Sequence, residues 1–323
     1  MSVPRAVAPD PTDPVHAGRS ADTVDGGAWS SPGQLREALD RVGYLAGPGL
    51  ATVAFLAERM GRPLFLEGDA GVGKTSLATA LAQVRDARLI RLQCYEGIEA
   101  SQALYDWDFP RQLLHLRAAE AAGVREAEQL ESELYDRRFL LARPLLAALE
   151  TPGAVLLIDE VDRADDEFEA FLLEVLSEWS ITVPELGTVR AEHPPLVVLT
   201  SNRTREVHDA LKRRCLYHWV AHPSFEREVA IIRRRLPEAA AQLAEDVARV
   251  AQGLRGEGLL KPPGVAESLD WTEALVALGA RELDPERAAA SLGAFLKYRE
   301  DTERVLATGF TSLLDRSPAG SGG

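Results

Sequence analysis

The sequence predicts an α/β fold, in which a parallel sheet lies between two layers of helices and is followed by a smaller helical domain. Three observations support this fold class. Short apolar runs at residues 63–67, 154–158 and 196–199 are typical of strands buried on both faces. Each run ends in polar or glycine residues, and a helical segment follows the first. From residue 223 onward, helical segments with clear caps replace the strands.

A glycine-rich loop follows the first strand and fits the phosphate-binding pattern G-x-x-x-x-G-K-[S/T] at every fixed position. In such a loop the backbone N–H groups converge on phosphate oxygens at a helix N-terminus. Lys74 would reach the β- and γ-phosphates, and the Thr75 hydroxyl would ligate Mg²⁺. We therefore expect ATP and Mg²⁺ as cofactors. The residues predicted to bind them here are Gly68, Asp69, Ala70, Gly71, Val72, Gly73, Lys74, Thr75 and Ser76.

The second strand ends in two adjacent acids, Asp159 and Glu160. Ligands of open α/β sheets bind at the carboxyl ends of the strands, where this pair is delivered. Asp159 would hold Mg²⁺ through water, and Glu160 would polarise the attacking water as a general base. A single acid would suit transfer to a bound acceptor, whereas the added glutamate indicates hydrolysis.

Two further polar groups follow in chain order. Asn202 stands at the end of the third strand, where it could bridge the γ-phosphate and the attacking water, although such clusters are also common turn formers. A predicted helix at residues 206–214 ends in Arg213 and Arg214. These cations could simply stabilise the helix C-terminus through its dipole. Alternatively, one of them is an arginine finger offered to a neighbouring subunit.

The order of these motifs resembles the AAA+ ATPases, a class of P-loop NTPases. Members of that class carry a Walker A loop, a Walker B acid pair, sensor 1 and an arginine finger in the same order along the chain. The resemblance implies that Arg214 is the finger, with Arg213 as the alternative. It also implies a sensor 2 arginine on a helical lid. Arg287 fits this role, because Asp284 and Pro285 predict a helix start just before it.

Within AAA+, the chain resembles the MoxR group. The matching segments are residues 159–164 and 171–178, an alternating stretch at 180–190 that predicts a β-hairpin before sensor 1, and a polar helical insertion near 111–138 in the second helix. Residues 93–98 and 260–271 are similar to the CoxD-like subgroup, which accompanies carbon monoxide dehydrogenase-type molybdenum enzymes.

This resemblance implies a ring of identical subunits, most commonly a hexamer, that couples Mg²⁺-dependent ATP hydrolysis to chaperone-like remodelling of a protein client. For the CoxD-like subgroup the client is a molybdenum hydroxylase that awaits its metal cofactor. The usual partner carries a von Willebrand factor A domain. A nucleic-acid motor and an ATP-gated adaptor with little turnover remain the alternatives.

Composition bears on the partners. The 323 residues carry a formal net charge of −14, which disfavours a nucleic-acid partner because phosphate backbones are bound by clustered cations. The one basic run, residues 233–235, is typical of an exposed helix face. No apolar segment reaches membrane-spanning length, and a cytoplasmic protein with two reduced cysteines is expected.

Four regions are expected along the chain: a disordered tail at 1–33, an α/β nucleotide-binding domain at 34–222, a helical lid at 223–310 and a flexible tail at 311–323. Within the lid, helices are predicted to begin after Ser224 and at Asp270, where a D-x-x-E spacing resembles a capping box.

Overall fold

A computed structural model describes residues 29–121, 133–184 and 186–309 of the chain. Its strands are β1 (Leu64–Glu67), β2 (Leu89–Gln93), β3 (Tyr105–Trp107), β4 (Leu140–Ala142), β5 (Val155–Asp159), β6 (Ser180–Val183), β7 (Gly187–Arg190), β8 (Leu196–Ser201) and β9 (Leu216–Trp219). Its helices are α1 (Pro32–Arg41), α2 (Pro48–Met60), α3 (Lys74–Val84), α4 (Ala100–Leu104), α5 (Phe109–Ala121), α6 (Pro144–Glu150), α7 (Asp166–Glu178), α8 (Asp209–Arg214), α9 (Phe225–Arg235), α10 (Ala241–Arg255), α11 (Val265–Ala277), α12 (Pro285–Phe295) and α13 (Arg299–Thr308).

The central sheet has five strands in the order β2-β5-β8-β1-β9, and every neighbouring pair is parallel. This confirms the predicted fold class. The strand that leads into the phosphate loop, β1, lies between β8 and β9, and β5 lies between β2 and β8. Because all five strands run in one direction, their carboxyl ends share one edge, which is where the predicted site residues stand.

Two apolar layers cover the sheet. On one face the side chains of Phe65, Ile158 and Leu199 pack with apolar residues of α4, α6, α7 and α8. On the other face Leu64 and Leu157 pack with apolar residues of α1, α2 and α3. Alternate residues of each strand point to opposite faces, so both layers draw on the same short apolar runs. This is the three-layer α/β/α core.

The predicted hairpin before sensor 1 is present. Strands β6 and β7 pair antiparallel, with Ile181 opposite Val189. The insertion is helical over α5, and an antiparallel pair that sequence periodicity did not indicate, β3 with β4, flanks it on either side. The middle of the predicted insertion, residues 122–132, lies outside the described residues.

The lid is a separate helical core in which Trp271 stacks on Phe295 with ring centroids 4.3 Å apart. The helix after Ser224 begins as predicted, since the Ser224 hydroxyl accepts a hydrogen bond from the Arg227 N–H. The predicted start at Asp270 is wrong. Helix α11 begins at Val265, because the Glu267 side chain accepts a hydrogen bond from the Gly264 N–H and closes that end.

Two other boundaries differ from the prediction. The helix expected at 206–214 begins only at Asp209, where the ring of His208 accepts a hydrogen bond from the Ala210 N–H. Helix α1 begins at Pro32, inside the segment expected to be a tail. Most of that segment, residues 1–28, and the expected C-terminal tail lie outside the described part of the chain. No helix among the described residues is long and apolar enough to cross a membrane.

Candidate nucleotide-binding site

A cleft of about 700 Å³ opens between the carboxyl edge of the sheet and the lid. Residues 70–76 of the glycine-rich loop form its floor, and Asp159, Glu160 and Asn202 line it from the strand ends. Lid residues of α9 and the first turn of α11 line the opposite side. The structure thus brings together three sequence-predicted groups that are remote along the chain.

The phosphate loop wraps Lys74. Its ammonium donates to the carbonyl oxygens of Gly68 and Asp69, at 2.7 and 2.6 Å. Only 5 % of Lys74 is exposed, and burial lowers its pKa from the ordinary value, opposed chiefly by the Asp69 carboxylate. Gly68 and Asp69 do not line the cleft themselves. Lys74 begins α3, so the loop presents backbone N–H groups at a helix N-terminus.

Gly68 is required by the tertiary structure as well as by the loop. Its φ is +158°, and a Cβ atom at this position would lie 2.3 Å from the carbonyl oxygen of Val220. The loop can therefore leave β1 only where the chain carries no side chain.

Asp159 meets the loop through Thr75. The Thr75 hydroxyl lies 3.0 Å from Oδ1 of Asp159, although the two residues are 84 positions apart. The same carboxylate oxygen accepts a hydrogen bond of 2.6 Å from the Thr200 hydroxyl of β8. The other oxygen, Oδ2, pairs with the guanidinium of Arg91 on β2. Asp159 is thus a buried carboxylate with partners on both oxygens.

Glu160 stands at the mouth of the cleft, held by two amides. Asn202 donates to Oε1 at 3.1 Å, and Gln93 donates to Oε2 at 3.0 Å. The backbone of Glu160 has a φ of +56°, a left-handed conformation that costs about 1–3 kcal/mol in a non-glycine residue and clusters at functional sites. A hydrogen bond from its N–H to Thr200 helps to hold this turn.

Asp162 fixes the loop that carries Asn202. Its buried carboxylate accepts hydrogen bonds from the N–H of Asn202, at 3.2 Å, and from the N–H of Thr204, at 2.8 Å. Asp162 therefore fixes the backbone of Asn202 and so positions its side-chain amide. Sequence reasoning did not single out Asp162, although it belongs to the quoted 159–164 segment.

One wall of the cleft is apolar. Tyr44, Leu50, Ile231 and Leu269 line it, contributed by the α1–α2 connection, α2, α9 and α11. The Tyr44 hydroxyl donates to the carbonyl of Gly73 at 3.3 Å, and burial raises its pKa well above the ordinary value. Apolar side chains of this kind can accept an aromatic base, and Arg227 and Arg235 of α9 also line the cleft.

None of these wall residues was predicted, because no local motif marks them. The available signal was their apolar or aromatic character, and that character is shared with ordinary packing residues.

The lid touches the phosphate loop directly. The N–H of Ala266 donates to the carbonyl of Gly71 at 3.2 Å. A Cβ atom on Gly264 would lie 2.8 Å from the carbonyl oxygen of Ala70. Beside this contact, His222 lies 3.3 Å from Asp69, and burial together with the charge of Arg255 lowers the pKa of His222.

Arg287, predicted as sensor 2, does not line this cleft. The helix start predicted just before Arg287 is present, since Asp284 caps α12 and Pro285 begins it. However, the exposed guanidinium of Arg287 pairs with Asp284 at 3.1 Å. The lid helix whose N-terminus reaches the phosphate loop is α11, and it presents Val265 and Ala266 there.

Arg213 and Arg214 also stand outside the cleft formed by their own chain. Both are exposed at the C-terminus of α8, and the Arg214 guanidinium donates to the hydroxyl of Ser177 on α7. Arg62 donates to the carbonyl oxygens of Arg213 at 2.6 Å and of Arg214 at 3.1 Å. This guanidinium satisfies carbonyl groups that a helix C-terminus leaves without partners.

The donor set of the site suits Mg²⁺. Thr75 and Asp159 offer a hydroxyl and a carboxylate side by side, and hard oxygen ligands of this kind are those that Mg²⁺ prefers, usually completed by phosphates and water. In the described ranges no group of three or more His, Cys, Asp or Glu residues could hold a metal ion on its own.

Part of the chain is similar in sequence to known proteins. Residues 63–215 match the model of the AAA domain, dynein-related subfamily. Two gas vesicle ATPases are similar over 210 residues: GvpN1 of Halobacterium salinarum, 27 % identical, and GvpN of Haloferax mediterranei, 26 % identical. Each match covers 61 % of this chain and 57 % of the relative, so the chain spans little more than half the length of these relatives.

Solved structures of Thermotoga maritima RuvB are also similar. The Holliday junction branch migration motor is 15 % identical, covering 80 % of this chain and 68 % of that one, with a TM-score of 0.43. A point mutant of the same motor is 14 % identical, covering 81 % and 69 %, with a TM-score of 0.46. The family match includes the phosphate loop, the acidic strand tip, Asn202 and α8. Residues 63–215 of this chain thus match an AAA domain, and the chain has the AAA+ P-loop fold.

Proposed function

We propose that this protein is a MoxR-type AAA+ ATPase, which hydrolyses ATP with Mg²⁺ and assembles into a ring that remodels a protein client. One observation carries the proposal. Thr75 of the phosphate loop and Asp159 of β5 lie within hydrogen-bonding distance, and Glu160 of the same strand tip faces the cleft beside them.

The roles of the side chains follow from this geometry. Lys74 supplies a buried positive charge to the β- and γ-phosphates of ATP, in place of the loop carbonyls that it now contacts. Thr75 and Asp159 would hold Mg²⁺, which neutralises charge on the phosphates when it is bound. Glu160 accepts a proton from the attacking water, and Asn202, hydrogen-bonded to Glu160, orients that water.

A ring accounts for the positions of Arg213 and Arg214. Both lie outside the cleft of their own chain, so either could complete only the site of a neighbouring subunit. An arginine supplied in trans to a phosphoryl-transfer site raises turnover by about 10³- to 10⁵-fold. We infer that turnover depends on assembly.

The client is proposed from the resemblance of two segments. The CoxD-like segments at 93–98 and 260–271 support a role in maturing a molybdenum hydroxylase, with a partner that carries a von Willebrand factor A domain. Gln93 of the first segment contacts Glu160, and Gly264 of the second abuts the phosphate loop. Both segments therefore lie at the proposed ATPase site, and neither is placed against a client. The similarity to GvpN supports a MoxR/GvpN-type motor and offers a role in gas vesicles as a second candidate.

The motor is tested by steady-state phosphate release and fluorescent-nucleotide titration. Glu160→Gln should retain nucleotide binding and lose about 10²- to 10⁴-fold in turnover, the usual contribution of a general base. Lys74→Ala should weaken binding itself. Glu174→Gln, an exposed residue of α7, is the matched control and should behave like the parent.

Dilution tests the ring. Turnover per chain should fall as the protein dissociates, and mixing Glu160→Gln with Arg214→Ala should restore part of the activity, because each variant supplies what the other lacks. Constant turnover per chain on dilution to monomers contradicts the ring. Turnover of Glu160→Gln within a few-fold of the parent removes Glu160 from its role.

A further inference from the structure

Arg91 occupies the carboxylate proposed to bind Mg²⁺. Oδ1 of Asp159 accepts hydrogen bonds from the hydroxyls of Thr75 and Thr200, at 3.0 and 2.6 Å. Oδ2 is taken by Arg91, whose Nη2 lies 2.5 Å away. The side chain of Asp159 is only 4 % exposed. A buried carboxylate without a partner is strongly unfavourable, so Arg91 supplies the compensating charge.

Arg91 is built into the edge strand next to the acids. In the β2–β5 pairing Arg91 stands opposite Leu157, and Gln93 stands opposite Asp159. Residues two positions apart on a strand share a face, so Arg91 and Gln93 extend to the same side. The Arg91 guanidinium also donates to Oε1 of Gln93 at 2.5 Å, and the Gln93 amide donates to Glu160. A single strand thus holds both acids.

The Arg91 side chain can leave this position readily. It is 53 % exposed, in contrast to the carboxylate that it pairs with. A long cationic side chain anchored at the surface can move its head group into water at little cost. The ion pair therefore joins a fixed, buried anion to a movable cation.

We propose that Arg91 is a built-in competitor of the metal: its charge neutralises Asp159 while Mg²⁺ is absent and opposes the binding of Mg²⁺ to the same carboxylate. Arg91 is then a positioning residue. It sets the metal concentration that half-saturates the site in the presence of nucleotide. This inference rests on the proposed role of Asp159 as a Mg²⁺ ligand.

Two effects of opposite sign follow from the proposal. Without metal, Arg91 screens Asp159 from the phosphates, so its removal should weaken nucleotide binding in EDTA. With metal, its removal ends the competition, so less metal should be needed. A residue that merely holds the fold together would shift both measurements toward weaker binding.

The experiment uses Arg91→Gln in the full chain, with Mn²⁺ as the metal probe followed by electron paramagnetic resonance in the presence of ADP. The half-saturating Mn²⁺ concentration should fall about fivefold or more, the lower end of typical coupling between two ligands of one protein. Affinity for a fluorescent ADP in EDTA should fall at the same time. An unchanged or raised Mn²⁺ requirement overturns the proposal.

Three controls separate the explanations. Arg88→Gln, an exposed arginine just before β2, should match the parent in both measurements. Arg91→Lys retains the charge without the planar fork, so its Mn²⁺ requirement should lie between those of Arg91→Gln and the parent, and it provides the test if Arg91→Gln does not fold. Asp159→Asn tests the underlying metal site.

If Asp159→Asn leaves Mn²⁺ binding unchanged, the proposed role of Asp159 is wrong and the inference about Arg91 falls with it. If Asp159→Asn abolishes Mn²⁺ binding while Arg91→Gln leaves the requirement unchanged, only the inference about Arg91 is wrong.

Discussion

The contact between the lid and the phosphate loop can be tested at a single atom, by Gly264→Ala. Gly264 has φ −86° and ψ −174°, an extended conformation that alanine adopts without strain. The added Cβ would nevertheless lie 2.8 Å from the carbonyl oxygen of Ala70 and 2.9 Å from Cα of Gly71. Both neighbours are backbone atoms, so neither can rotate away. The substitution therefore acts on the distance between the lid and the loop.

The expected magnitude follows from that geometry. To restore an ordinary contact of 3.4 Å, Gly264 of the lid and the phosphate loop must separate by about 0.6 Å (3.4 − 2.8). Insertion of a methyl group into a tight contact costs about 1–3 kcal/mol. If this cost falls on the closed arrangement that holds the nucleotide, the nucleotide Kd should rise about 5- to 140-fold. Separation also widens the cleft, because Val265 and Ala266 line it.

The assay is a titration with a fluorescent ATP analogue, alongside thermal unfolding without nucleotide. Gly293→Ala is the matched control. Gly293 lies in α12 of the same lid, and its Cβ would meet nothing within 4 Å. This control should leave Kd unchanged and raise stability by about 0.4–1 kcal/mol. If Gly264→Ala also leaves Kd within about twofold of the parent, well below one 1.4 kcal/mol step, the lid contact plays no part in nucleotide binding.

Three further predictions concern groups outside the cleft or at its edge. Arg62→Met removes the hydrogen bonds to the C-terminus of α8, so turnover should fall while nucleotide Kd stays near the parental value; an equal loss in both would show that Arg62 does not act through α8. Burial raises the pKa of the Cys94 and Cys215 thiols to about 12, so alkylation followed by mass spectrometry should be slow in the folded protein and fast after unfolding, and rapid labelling of the folded protein would contradict their burial. Burial and Arg255 lower the pKa of His222 below its ordinary 6.5, so as pH falls the unfolded chain binds a proton that the folded chain resists, and stability is lost below about pH 6.5. Denaturant unfolding at about pH 7.5 and about pH 5.5 measures this loss, which His222→Gln should reduce; an undiminished loss assigns the pH dependence to other groups.

Prediction from sequence succeeded where the residues that specify a feature are contiguous along the chain. The glycine-rich loop, the acid pair after a buried strand and the Asp284 cap of α12 are each specified by a few neighbouring residues. It failed at α11, where two D/G-x-x-E spacings compete and the one at Gly264 forms the cap. Local spacing cannot decide between them, because the choice depends on the phosphate loop against which the helix start packs.

The sequence by itself determined the groups of the candidate site: a lysine and a hydroxyl in a loop of the phosphate-binding pattern, and two acids at a strand end. Only the tertiary structure decided which groups surround them. Arg91 and Gln93 clamp the acids, Tyr44 and Ile231 form the apolar wall, and Arg287 is left outside the cleft. The physical reason is range. Loops and caps are stabilised by hydrogen bonds between near neighbours, whereas the cleft depends on packing between segments more than 200 positions apart, which no local pattern encodes.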